Sequence, residues 1–172
     1  MIGEQDALAL RSDATFSSCR QYRYSLWRRW GDPAGGYAMF VGLNPSTADE
    51  TMDDPTIRRC IGFAQDWGYA GLCMTNLFAF RATQPSVMKA AADPVGPDND
   101  QALLCMAQGA GVIVAAWGVD GAHQGRGDAV RVMLPNLHFL KLTQAGHPSH
   151  PLYLPKILRP QPLSPAGRSA AT

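Results

Sequence analysis

Tyr37-Ala38-Met39-Phe40-Val41 is a short apolar run rich in β-forming residues, and it stops abruptly at Gly42-Leu43-Asn44-Pro45-Ser46. The run predicts a buried strand. Pro45 lacks an N–H and holds Asn44 extended, so the strand cannot continue through it. Leu72 to Phe78, within Ala70–Phe80, and Val112 to Trp117 predict two more strands, the second an unbroken apolar run of the kind covered on both faces. Leu137 to Leu142 gives a last one. Helical signals fall between them. Asp54-Pro55-Thr56 opens a helix with Ile57, Cys60, Ile61 and Ala64 on one stripe and Gly68 at its end. Ser86 is expected to cap a short helix reaching Ala92. Asp98, with Gln101 in the capping-box position, starts another. A glycine-rich loop from Gly118 to Gly127 precedes a short helix ending at Leu134.

Upstream, Cys19 to Trp30 roughly alternates, with Tyr22, Tyr24 and Leu26 set against Arg23, Ser25, Trp27 and Arg28. The turn-rich segment Gly31-Asp32-Pro33-Ala34-Gly35-Gly36 then predicts a hairpin with Tyr37–Val41. This first strand is expected to be antiparallel, near an edge, with its arginines facing water. Strands alternating with helices argue for a three-layer α/β/α sandwich on a mostly parallel central sheet, with that N-terminal antiparallel strand at its edge. Residues 16–158 are expected to form this single domain, residues 1–15 a flexible N-terminus and residues 159–172 a disordered tail.

At 172 residues, 46% hydrophobic and 17% charged, the chain has the composition of an ordinary globular domain. Its formal net charge of +1 offers no global positive field for a polyanion. Cys19, Cys60, Cys73 and Cys105 are scattered without a C-x-x-C, which argues for free thiols. No apolar run approaches membrane-spanning length, so no membrane partner is expected and a cytoplasmic location is. No cofactor is implied. His147 and His150 with Asp49 or Asp53 make only a weak metal-ligand pattern, so no metal is expected. The sequence does not specify an oligomeric state.

The carboxyl ends of parallel strands share one edge, where open α/β sheets bind ligands. That edge is expected to gather Asn44, Asn76, Trp117-Gly118 and His147. Gly42-Leu43-Asn44-Pro45, Asn76 and His147-Pro148-Ser149 together resemble the uracil-DNA glycosylase superfamily, whose fold is a small α/β sandwich on a four-stranded parallel sheet. Gly-Leu-Asn-Pro-Ser-Thr-Ala-Asp with Asp-Asp-Pro-Thr-Ile-Arg-Arg-Cys and Asn-Leu-Phe-Ala is closer still to a bacterial domain family of unknown function. The glycosylase resemblance covers roughly residues 37 to 153 and implies cleavage of an N-glycosidic bond, with DNA or a nucleotide as partner. Asn44 would orient a water through its amide oxygen, and His147 would donate to the charge growing on the leaving base. Asn76 would read the edge of the base. Gly42, Leu43, Pro45, Ser46, Phe78, Trp117, Ser149 and Leu152 complete the expected substrate-binding set, with Leu152 or Tyr153 as a wedge in a duplex. Two other functions fit the same residues: an enzyme acting on a free nucleoside, nucleotide or other small molecule, which the acidic loop with Asp49, Asp53 and Asp54 favours, and a non-catalytic nucleic-acid-binding module.

Overall fold

A computed structural model of the chain describes residues 11–164. It is an α/β protein with a mixed seven-stranded sheet and, among the described residues, four α-helices. In chain order these are β1 (Arg11–Phe16), β2 (Arg23–Arg29), β3 (Ala38–Gly42), α1 (Pro55–Asp66), β4 (Gly71–Asn76), α2 (Pro85–Ala90), α3 (Asn99–Gln108), β5 (Val112–Ala115), α4 (Arg126–Met133), β6 (Leu137–Phe139) and β7 (Gln161–Pro162). Across the sheet they run β1-β2-β4-β3-β5-β6-β7. The four central strands, β4, β3, β5 and β6, are parallel. β1 and β2 on one side and β7 on the other are antiparallel to their neighbours. None of the described helices is long and apolar enough to cross a membrane.

Alternate residues of the central strands feed two cores, as the period of two requires. Phe40, Leu72, Met74 and Val114 pack with Ile57, Cys60 and Phe63 of α1. Met39, Val41, Cys73, Ile113 and Ala115 pack with Met88 of α2, Leu103 of α3 and Val130 of α4. Helices therefore cover both faces, which is why these strands read as unbroken apolar runs. α1 starts as its sequence demands: Asp54 Oδ1 accepts from Ile57 N at 2.8 Å, and Pro55 occupies the first helical position. The other caps differ from expectation. Gln84, not Ser86, precedes α2, and Asp98 sits at the start of α3 without a side-chain capping bond.

The expected hairpin between the first long strand and β3 does not form. β2 pairs with β4 instead, and β4 lies between β2 and β3. Trp30 N and Gly31 N donate to Ala70 O, and Ala70 N donates to Gly36 O, so the turn wraps around the residue that leads into β4. A Cβ on Gly35 would stand 2.8 Å from Ala70 Cβ. The glycines of this turn serve that close passage, not a two-strand reversal.

Nor do Arg23 and Arg28 of β2 face water, being 2% and 1% exposed, while Arg29 at the strand end is half-buried. The register against β1 shifts between Thr15 and Phe16, leaving Tyr24 as an extra residue opposite the step. Residues five apart in a regular strand point to opposite faces, but a bulge re-aims the side chains beyond it. Both arginines consequently reach the loop between β3 and α1, Arg23 at Ala48 O and Arg28 at Asp49 O, Met52 O and Asp53.

Strand structure also extends past the boundaries expected at 16 and 158. Residues 11–15 belong to β1, and Gln161-Pro162 pairs with β6. Residues 1–10 and 165–172, the remainder of the two expected flexible ends, lie outside the described residues.

Candidate functional site

β4 and β5 flank β3 on opposite sides, so the connections leaving β3 and β5 diverge and a crevice opens at their carboxyl ends. It is a cavity of about 600 Å³, within the range of small-ligand pockets. β3 brings Gly42, Leu43, Asn44 and Ser46 to its wall, β4 brings Asn76, and β5 is followed by Trp117 and Gly118. Ser149 arrives from the segment after β6.

Asn76 is 2% exposed and ends β4. Its main-chain carbonyl accepts from Asn99 Nδ2 at 3.0 Å, and the same amide donates to Leu77 O, which fixes the strand end. A Cβ on Gly42 would lie 2.9 Å from Asn76 Oδ1, so only glycine on β3 lets this amide sit where it does. Asn76 Nδ2 is buried and has no protein acceptor. An unpaired buried donor is costly, and Asn76 lines the cavity wall.

Asn44 divides its amide between two tasks. Nδ2 donates to Ala82 O at 2.8 Å and Pro45 O at 3.1 Å, tying the loop after β3 to the loop after β4. Among the described residues no donor reaches Oδ1 of this cavity-lining side chain, which leaves it free to accept from a water or ligand.

His147 does not join this group. Its N–H donates to Thr143 Oγ1 at 3.1 Å and its carbonyl accepts from Thr143 N at 2.7 Å, which pins the residue at the mouth of a tight reversal. It lines a separate cavity of about 80 Å³ with Asp128 and Arg131. Trp117 lines both cavities and divides them; its indole packs so tightly on Gly121 that a Cβ there would stand 2.1 Å from it. Three other expected residues also lie off the main wall. Pro45 is buried beneath it, its carbonyl accepting from Ala82 N at 2.9 Å. Phe78 is fully buried in the second core, its ring 5.6 Å from that of His123. Leu152 is half-buried outside the cavity.

In their place the cavity gains Arg23, His150, Asp54 and Asp120. Arg23 Nη1 donates to Ala48 O at 3.0 Å, while Nε is buried without an acceptor. Burial pushes the guanidinium down to about 10, partly offset by Asp54, with Arg81 and Arg28 pushing the same way as burial. It stays cationic at neutral pH. Asp54 is engaged by the α1 cap, and Asp120 pairs with Lys89 Nζ at 2.6 Å. His150 stands exposed at the rim, its Nδ1 accepting from Leu152 N at 3.3 Å. That bond leaves Nε2 as the protonated nitrogen of the neutral ring. Desolvation lowers its pKa from the ordinary value, and Asp54 opposes the shift. Nothing in the alternation of β2 singles out Arg23, because the bulge that redirects it is a pairing event. The signal for His150 was visible in His-Pro-Ser-His-Pro, where the second histidine is the one at the cavity.

Among the described residues, no group of three or more His, Cys, Asp or Glu side chains is arranged to hold a metal ion. No curated protein and no solved structure matches the chain. Residues 23–152, which include every cavity residue named above, match a family model described as protein of unknown function (DUF1643), and the chain belongs to that family.

Proposed function

We propose that the cavity binds a nucleobase and that the protein hydrolyses the N-glycosidic bond of a nucleoside or nucleotide. The observation that carries this reading is the meeting of Asn44 and Asn76 on one cavity wall, one with a free acceptor and one with a buried donor that has no protein partner. Four parallel strands with helices on both faces support a three-layer sandwich of the uracil-DNA glycosylase kind.

Trp117, 3% exposed, adds a small apolar contact to the cavity wall, and Asn76 Nδ2 offers a donor to a ring carbonyl. Asn44 Oδ1 accepts from a water held against the sugar. As the sugar becomes oxocarbenium-like, the water oxygen bonds to its anomeric carbon and the C–N electron pair leaves with the base. An amide is too weak a base to keep the water's proton, which passes to solvent or to the departing base. His150 Nε2–H, at the rim, donates to the charge on that base, the role the resemblance gave to His147. A small substrate suits the rim better than a duplex, since Leu152 is outside the cavity and two carboxylates, Asp54 and Asp120, line it.

Incubation with a panel of nucleosides and nucleotides is expected to release free base, read by chromatography. Asn44→Ala and His150→Ala are each expected to slow release by about 100-fold or more. Duplexes containing uracil, hypoxanthine or mismatched thymine form a parallel arm, in which abasic sites would move the substrate to nucleic acid. No free base from any of these would overturn the reading.

A further inference from the structure

Three arginines among the described residues are buried, and two of them meet carboxylates. Arg28 pairs with Asp53 at 2.7 Å and Arg126 with Asp100 at 2.6 Å. Arg23, 2% exposed, makes no ion pair; its single hydrogen bond goes to the carbonyl of Ala48, and its Nε has no acceptor. It is also the one of the three that lines the 600 Å³ cavity. Asp54 offsets part of the cost of this burial from a distance, but its carboxylate is committed to the α1 cap and does not pair with the guanidinium, so a direct counter-ion is left for a ligand to supply.

We propose that Arg23 forms an oxyanion subsite on the cavity wall, so that the natural ligand is a small molecule carrying a terminal phosphate or carboxylate. The guanidinium presents a planar fork suited to two oxygens of such a group. Thr56 and Ile57 at the start of α1 line the same cavity and add the positive end of a twelve-residue helix, although Asp54 already occupies its cap. Asn76 Nδ2 supplies a second buried donor without a protein partner. The group must be terminal. A phosphodiester within a polymer has chain on both sides and cannot be drawn onto a residue so enclosed, whereas a phosphomonoester can enter end first. Applied to the base-binding reading, the subsite selects a free nucleotide over its nucleoside; that selection rests on the reading, while the subsite itself does not.

The test is thermal unfolding of the full chain with inorganic phosphate, acetate, a nucleoside 5′-monophosphate and the parent nucleoside, each against sodium chloride at matched ionic strength. An oxyanion at a few times its Kd is expected to raise the wild-type Tm by about 2–4 °C. Phosphate prevailing over acetate assigns a phosphomonoester, and the reverse assigns a carboxylate. Arg23→Met is expected to abolish that shift, to raise the Tm of the unliganded protein, and to reduce any preference for nucleotide over nucleoside about tenfold or more. An unchanged oxyanion shift in Arg23→Met, or no shift beyond chloride in the wild type, would overturn the subsite. Should Arg23→Met not fold, competition in the wild type decides: inorganic phosphate or acetate must weaken binding of the matching anionic ligand, and absence of competition counts against the proposal. Oxyanion binding without base release would leave the subsite standing and defeat only the hydrolysis reading.

Discussion

Arg28, near the carboxyl end of β2, spends every donor group on its own surroundings: Nε on Asp53 at 2.7 Å, Nη1 on Trp27 O at 2.8 Å, and Nη2 on Asp49 O and Met52 O at 2.6 and 3.2 Å. Arg23, at the amino end of the same strand and just as buried, gives one donor to Ala48 O and turns toward the cavity with its Nε unpaired. Both touch the loop between β3 and α1. The difference between them is whether a carboxylate of the protein pairs directly with the guanidinium. Where it does, the arginine is a fastener that fixes the loop's path between β3 and the α1 cap. Where it does not, folding leaves an electrostatic demand that a ligand can meet, and stability is traded for recognition.

The contrast breaks most visibly at Asp53. Asp53→Asn keeps the shape but removes the charge facing a guanidinium that is 1% exposed. The expected loss is about 3 kcal/mol in urea or thermal unfolding, the lower end for a broken buried pair because Asp53 itself is partly exposed. A loss below about 1 kcal/mol would rank the pair with surface bridges and show that the carbonyls alone hold Arg28. The same measurement on Arg23→Met is expected to have the opposite sign and a smaller size, a gain of about 1 kcal/mol, because removing an uncompensated buried charge outweighs one hydrogen bond. A substantial loss there would make the two ends of β2 alike.

How much of the molecule was legible in its sequence depends on whether the cause was local. The strand ending at Gly42, the cap and proline that start α1, and the stop at Gly68 are set by neighbouring residues, and each stands where its signal predicts. The meeting of Asn44, Asn76 and Trp117 at one edge follows from strand polarity, which alternating strands and helices already imply. Pairing partners are not local. Gly31–Gly36 looks the same whether the chain reverses beside β3 or passes around Ala70, and only the glycine contacts with Ala70 reveal which. A bulge opposite Thr15 and Phe16 is equally invisible in one strand alone, and with it the burial of Arg23. That His150 lines the larger cavity and His147 the smaller accompanies a reversal held by two hydrogen bonds between His147 and Thr143, which no spacing rule supplies.

The smallest expected effect lies in the loop both arginines touch. Asp49 Oδ1 accepts from Thr51 N at 2.9 Å and Met52 N at 2.8 Å, and from Thr51 Oγ1 at 3.2 Å. These bonds, the one from Thr51 N first, favour the carboxylate and hold its pKa below the ordinary 3.8. A carboxyl whose folded pKa lies below its unfolded one contributes stability that is fully present above the unfolded value and lost as pH falls through the folded one. Asp49 should therefore titrate by NMR with a midpoint under 3.8, with the Thr51 and Met52 amide shifts following the same curve. Because Arg28 Nη2 is bonded to Asp49 O and Met52 O, amide exchange in that turn should quicken as Asp49 is protonated, while the strand end at Asn76, held from the other side by Asn99, should not respond. A midpoint at or above the ordinary value would mean that the turn is not held closed by these bonds, and that Arg28 fastens a loop with no structure of its own.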